Sequence, residues 1–219
     1  KRSAQYAKKL HNKMYFRILR AIGKVARIFG STKMLAASIL QFITDYASVR
    51  TSYFIENHPE IKKEIKDPNT DIVWGQIDTW ILWNLTEGTK HITDYSNAGS
   101  SACLDPFTLK WNKAIIGHMN IPNHILPEII DTNGDFGVTR LFGGGEIPIR
   151  AVIADQQASL FGQCCFEYGE MKVTNGTGSF VDLNTGDKAY ASKRKLYPLV
   201  AWRMNGNTTY MLEGFSHNT

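Results

Sequence analysis

Cysteine is scarce in this sequence, three in 219 residues, and two of the three are neighbours at Cys164 and Cys165. Adjacent cysteines make a poor disulfide framework, which argues against a stapled secreted scaffold and for a reducing compartment, the cytoplasm. The six histidines are scattered. Neither they nor the cysteines show zinc-ligand spacing, which argues against a metal-built fold. No apolar run reaches the roughly 20 residues of a membrane span, and nothing at the start resembles a secretory signal. The chain opens on Lys1 rather than Met, so a piece of a longer protein is expected. Acid is missing from one region: residues 1–33 hold ten Lys and Arg and no Asp or Glu, whereas the remainder holds 15 basic and 20 acidic residues. The net charge of +5 therefore belongs to one end, and the body is mildly acidic. The length allows a substantial core in one domain or two small ones.

What is present is organised around residues 147–180. Residues 149–154, apolar apart from Arg150 and rich in β-branched side chains, read as a strand. Asp155 follows at a strand-to-helix junction. Residues 156–166 read as a helix with Ala158, Phe161 and Cys165 on one face, closed by Gly169. A second strand over 171–174 runs into Asn175-Gly176-Thr177-Gly178, and 180–183 return before Asn184-Thr185-Gly186 turns again. Asp155 has two readings. The commoner is an N-cap for the free N–H groups of the first turn; the other is a carboxylate aimed out of a sheet edge as general base for a hydroxyl. Asn175-Gly176 is first a hairpin turn supplying positive φ, and second a cradle whose N–H groups meet phosphate.

Residues 1–57 read as helical throughout. Lys13, Arg17, Arg20, Lys24 and Arg27 recur at helical spacing, and Tyr15, Ile18, Leu19, Ile22, Val25 and Phe29 fill the opposite face. The plainer expectation is a surface helix packed on its own protein; the sharper one is contact with anionic lipid or nucleic acid. No nucleic-acid-binding motif supports the last of these, and no nucleic-acid partner is expected. Trp74, Ile77, Trp80, Ile81 and Leu85 recur helically, and with Trp83 the tryptophans are expected in packing. Glu87-Gly88 closes that helix. Asp94-Tyr95-Ser96-Asn97-Ala98 holds a tempting Asp and Ser, but no histidine stands at relay spacing. It reads as a hydrogen-bonded junction orienting a sheet edge. The loop Phe142-Gly143-Gly144-Gly145-Glu146 is followed by no helix and is not a dinucleotide fingerprint. Residues 196–204 and 208–212 read as strands joined at Asn205-Gly206-Asn207.

These blocks together resemble the FGGY carbohydrate kinases, and within them the glycerol kinases. The family's A/G-D-Q-Q-A-x-L-F-G-Q block stands at 154–163, its G-T-G-x-F hairpin at 176–180 and its N-T-G turn at 184–186. Upstream, Gly75-Gln76-Ile77-Asp78-Thr79-Trp80 and Thr93-Asp94-Tyr95-Ser96-Asn97-Ala98 resemble two further glycerol kinase blocks. From about residue 72 to 214 the likeness is close to continuous. It implies an α/β fold of the actin-like ATPase, ribonuclease-H-like kind. Residues 1–163 would be most of the first, substrate-binding lobe without its opening strands, and 164–219 the start of the second, nucleotide-binding lobe. It implies ATP-dependent phosphotransfer to a polyol hydroxyl, glycerol giving glycerol 3-phosphate, with Mg²⁺ bridging the phosphates.

By the same resemblance Asp155 is the base and a substrate ligand, Gln156 bonds a second hydroxyl, and Phe180 packs on the carbon chain. Gly176 and Thr177 face the ATP phosphates, and no metal ligand is assigned. Much of the family's site lies outside residues 1–219, so the chain alone is expected to be inactive. Tyr53 stands where the family has Trp, and the family's substrate-contacting tyrosine falls at Asp45 or Tyr46. This departure resembles a divergent animal branch of the glycerol kinases. It keeps a pentulose kinase as an alternative, and a non-catalytic kinase-like module that binds partners through the Arg/Lys helix is the other. A homo-oligomer stays open. Bacterial glycerol kinases carry an allosteric arginine near the position of Glu146, and that regulation is not carried over.

Overall fold

The structure is a computed structural model describing residues 2–26, 28, 30–176, 178–192 and 196–217. It begins with five helices: α1 (Arg2–His11), α2 (Met14–Ala26), α3 (Thr32–Ile39), α4 (Ala47–Asn57) and α5 (Pro59–Glu64). Their apolar periodicity brings Leu10, Phe16, Val49 and Ile55 into one core with Ile115, Ile116 and Met119. Ser31 caps α3, its Oγ accepting from the Met34 N–H.

The face assignment of α2 is corrected by its packing. Ile18, Ile22 and Val25 are 52%, 54% and 62% exposed, whereas Phe16 is fully buried. Phe16 packs on Phe42 and His118, with ring centroids 4.6 and 5.2 Å away. Gly23 lets the α3 backbone approach: a Cβ there would lie 2.6 Å from the Met34 carbonyl oxygen and 2.7 Å from the Ser38 nitrogen. Two small contacts thus decide the rotation of the helix against its longer apolar row. Arg27 and Phe29 lie outside the described residues. Gly23→Ala is expected to destabilise the protein by about 1–2 kcal/mol, because overpacking outweighs the helix-propensity gain. A urea midpoint that rises would contradict this packing.

Helix α6 (Ile77–Leu85) follows, then β1 (Ile92–Asp94) and α7 (Tyr95–Ser100). Buried Asp78, Thr79 and Leu82 form the inner face of α6, fixed by Thr93 Oγ1 donating to Asp78 Oδ2 at 2.5 Å. That rotation leaves Trp80 63% exposed, while Trp74 is buried just before the helix. Trp74 donates Nε1–H to Thr51 Oγ1, so only part of the tryptophan expectation holds. The helix ends as expected at Glu87-Gly88, with the Gly88 N–H on the Trp83 carbonyl.

The hairpin β2 (Leu104–Asp105) and β3 (Lys110–Trp111), helix α8 (Lys113–His118) and β4 (Glu128–Ile130) come next. Strand β4 pairs in parallel with β1. Strands β5 (Val138–Thr139) and β6 (Ile147–Pro148) form a short antiparallel pair. The strand expected over 149–154 is extended chain rather than a ladder. Ile149 exchanges bonds with Phe136 and Gly137, and the Val152 N–H reaches Thr132. The turn at 131–134 that separates these partners breaks the pairing.

Helix α9 (Asp155–Gly162) ends four residues earlier than the periodicity suggests. Cys164 takes φ +58°, its N–H bonds the Phe161 carbonyl, and the Cys165 N–H bonds Leu160. This is a Schellman closure with cysteine where glycine is usual. The last sheet holds β7 (Met171–Asn175), β8 (Gly178–Gly186), β9 (Tyr197–Met204) and β10 (Asn207–His217). They are antiparallel in the order β7-β8-β10-β9. Asn205 and Gly206 turn β9 into β10 with φ +51° and +80°. The first hairpin reverses differently from expectation. Asn175 stays in the ladder opposite Ser179, its Oδ1 accepting from Ser179 Oγ, and Gly176 does not take positive φ. Among the described residues no helix is long and apolar enough to cross a membrane.

Candidate functional site

Two junctions hold the start of α9. Buried Leu160 packs on Ala201, Trp202 and Met211 of the last sheet, which seats the helix. The Ala154 N–H is held by Ser96 Oγ at 2.8 Å. Ser96 in turn donates to Asp94, and Asp94, fully buried, also accepts from the Ser96 and Asn97 N–H groups, Asn97 Nδ2 and Thr132 Oγ1. Asp94 is thus the N-cap of α7 and the hub of the hydrogen-bonded junction expected there. Its reach extends to the residue before Asp155.

Asp155 is not the cap. Ala154 holds that position, and Asp155 is the first helical residue. Its Oδ1 accepts from the Gln156 N–H at 2.7 Å, and its side chain is exposed. Gln156 stands beside it with Oε1 turned down toward the sheet, on Lys172 Nζ. Lys172 is fully buried, 2.7 Å from Asp182 Oδ2, and Asp182 faces Glu213 across β8 and β10. Burial, then the Asp182 charge, push the Glu213 carboxyl up to about 7, with Asp155 adding to the push and Lys172 opposing it. Burial likewise raises Asp182, while Lys172 opposes the rise.

Glu213 also lines a cavity of about 580 Å³ with Phe180, Asp45, Tyr46, Tyr197 and Phe215. Phe180 lies against Phe215, ring centroids 4.6 Å apart. Burial raises the Tyr46 hydroxyl, with Glu213 and Asp45 adding to it. Asp155 does not line this cavity. The structure therefore joins Gln156 to the Lys172–Asp182–Glu213 cluster, with Asp155 acting on that cluster only through its charge, and places Phe180 at the cavity, with Glu213 common to both. The Gly176 N–H is taken by the Gly178 carbonyl at 2.9 Å. What Gly176 offers a ligand is close approach, since among the described residues a Cβ there would meet only that oxygen, at 3.9 Å. Thr177 lies outside the described residues. Among the described residues no group of three or more His, Cys, Asp or Glu side chains is placed to hold a metal ion.

Lys172, Asp182 and Glu213 were not legible as site residues. The available signal was weak: a lysine and an aspartate at inward positions of facing strands, between Met171, Val173 and Val181, which are exposed.

Glu213 makes a pH prediction. Its folded pKa of about 7 lies above the ordinary carboxylate range, so the folded state binds the proton more tightly than the unfolded state does. Stability from this group is intact below the unfolded value and falls as pH rises toward 7. Glu213→Gln is expected to leave stability nearly unchanged at pH 4 and to raise it by about 3 kcal/mol at pH 8. Urea midpoints at the two pH values check it, and an equal effect at both would contradict it.

With the geometry in place, comparisons with known proteins give its class. The profile of the FGGY family of carbohydrate kinases, N-terminal domain, matches residues 8–162. Glycerol kinase 5 of Danio rerio is 41% identical over 189 residues, covering 85% of this chain and 35% of that protein. The glycerol kinase of Francisella tularensis subsp. novicida is 48% identical over 145 residues, covering 65% and 29%. Among solved structures, Plasmodium falciparum glycerol kinase with ADP superposes with a TM-score of 0.72 at 35% identity, covering 81% of this chain and 36% of that one. The chain belongs to the FGGY family of carbohydrate kinases. Its fold is the actin-like, ribonuclease-H-like α/β fold of these kinases. It spans 35% and 41% of the length of the Danio rerio and Mus musculus relatives.

Proposed function

We propose that the protein containing this chain transfers the γ-phosphoryl group of ATP to a polyol hydroxyl, glycerol being the first candidate. The observation that carries this is the pair of exposed Asp155 and half-buried Gln156 on the first turn of α9, seated on the same sheet that lines the Phe180 cavity. Asp155 takes the hydroxyl proton as the oxygen bonds to the γ-phosphorus and the bond to the bridging oxygen breaks, releasing ADP. Gln156 holds a second hydroxyl, and Phe180 covers the carbon chain. Phosphate contact is assigned to Gly176 and Thr177 on the family resemblance of the G-T-G block. Mg²⁺ neutralises phosphate charge when bound, and these residues supply orientation.

A division near Gln163, where α9 gives way to the β meander, marks the passage from substrate lobe to nucleotide lobe. Because the chain spans under half of these relatives, the 219 residues alone are expected to lack transfer activity. A cavity of about 580 Å³ also accommodates a five-carbon sugar, which keeps a pentulose as the second reading. The cysteine pattern supports a cytoplasmic protein, testable by fractionation. The exposed row of α2 beside exposed Arg17 and Lys24 supports contact with an anionic membrane; equal binding to neutral and anionic vesicles would sink it. The substrate test is kcat/KM of the full-length protein with ATP, Mg²⁺ and either glycerol or a pentulose. Glycerol is expected to be preferred. No transfer to either would overturn the reading.

A further inference from the structure

We infer that Lys172 is a positioning residue that decides which end of the Gln156 amide meets the substrate; this rests on the kinase reading above. Strand β7 is built inside out. Met171 and Val173 are 60% and 49% exposed, whereas Lys172 is 2% exposed between them. Lys172 Nζ lies 2.5 Å from Gln156 Oε1, 2.8 Å from Thr174 Oγ1 and 2.7 Å from Asp182 Oδ2. An ammonium has donors and no acceptor: two of them are taken by Gln156 Oε1 and Thr174 Oγ1, and Asp182 is the counter-ion beside it.

The polarity of the amide follows. A donor-only partner holds Gln156 by its oxygen, so Nε2 points away from the sheet. Among the described residues Nε2 has no hydrogen-bond partner, and it belongs to the residue next to Asp155. The end presented to a ligand is a donor, and a substrate oxygen there must accept. Asp182, opposite Lys172 in the β7–β8 register, is the counter-ion that keeps the lysine inside. Lys172 therefore acts on polyol binding through Gln156 and leaves proton transfer at Asp155 alone.

The test is steady-state kinetics of the full-length protein, with thermal melts to establish folding. Lys172→Met frees the amide to turn but strands Asp182. The double variant Lys172→Met/Asp182→Leu replaces the pair with apolar packing and so preserves the fold. In both, polyol KM is expected to rise about tenfold, the loss of one neutral hydrogen bond, with kcat within about threefold and ATP KM unchanged. Gln156→Glu presents acceptors only and is expected to raise polyol KM at least as much although Lys172 remains. Lys172→Arg, which keeps a donor, is expected to recover most of the loss. Should Lys172→Met fail to fold, the double variant decides. An unchanged polyol KM in the folded double variant, with the wild type active, overturns the positioning role and leaves the kinase reading standing. A fall in kcat with no change in KM overturns it equally. No transfer by the wild type removes the kinase reading and this inference together.

Discussion

Asp155→Asn in the full-length protein is expected to lower kcat about 10²- to 10⁴-fold while leaving polyol and ATP KM nearly unchanged. The amide is isosteric with the carboxylate and can still accept from the Gln156 N–H, as Asp155 Oδ1 does, so the helix start should survive. What it lacks is an oxygen able to take a proton at neutral pH. The side chain is exposed at the first helical position, consistent with a role toward a ligand. Measured kcat within tenfold of wild type would remove Asp155 from the reaction. A large rise in KM with constant kcat would reassign it to binding.

The second large effect is structural and lies a helix away. Asp94→Ala is expected to destabilise the protein by about 3–5 kcal/mol, combining a lost cap with buried donors left unpaired. Asp94 is 0% exposed and accepts from two backbone N–H groups and from the side chains of Ser96, Asn97 and Thr132. Asn is expected to recover only part of the loss, because its amide nitrogen would face some of those donors. Chemical denaturation measures both. The change also frees the Ser96 hydroxyl that holds the Ala154 N–H, so residual folded protein should show weakened transfer without any contact to substrate. A cost under about 1 kcal/mol would mean that water replaces Asp94 without loss.

Where local chemistry decides structure, the sequence was readable. Asn205-Gly206 turned β9 into β10, Glu87-Gly88 closed α6, and the Asp94 block formed the junction its hydrogen-bonding groups suggest. Where packing partners decide, periodicity misled. The row Ile18, Ile22 and Val25 on α2 faces outward because Phe16 and Gly23 hold the helix to α3 and α8. Trp80 faces outward because Asp78 and Leu82 are the inner face of α6. The helix α9 stops at a cysteine in a left-handed conformation, for which no residue preference gives warning. Asp155 and Gln156 could be singled out from their block, but the Lys172–Asp182–Glu213 cluster beneath them could not. A lysine between Met171 and Val173 reads as an outward residue until the strand register puts it opposite Asp182.

Phosphotransfer is tested most directly by ³¹P NMR of the full-length protein turning over ATP and Mg²⁺ with glycerol. A new phosphomonoester resonance is expected to grow in step with ADP and to be absent in Asp155→Asn. ADP accompanied only by inorganic phosphate, or an equal phosphomonoester signal from the Asn variant, would contradict it.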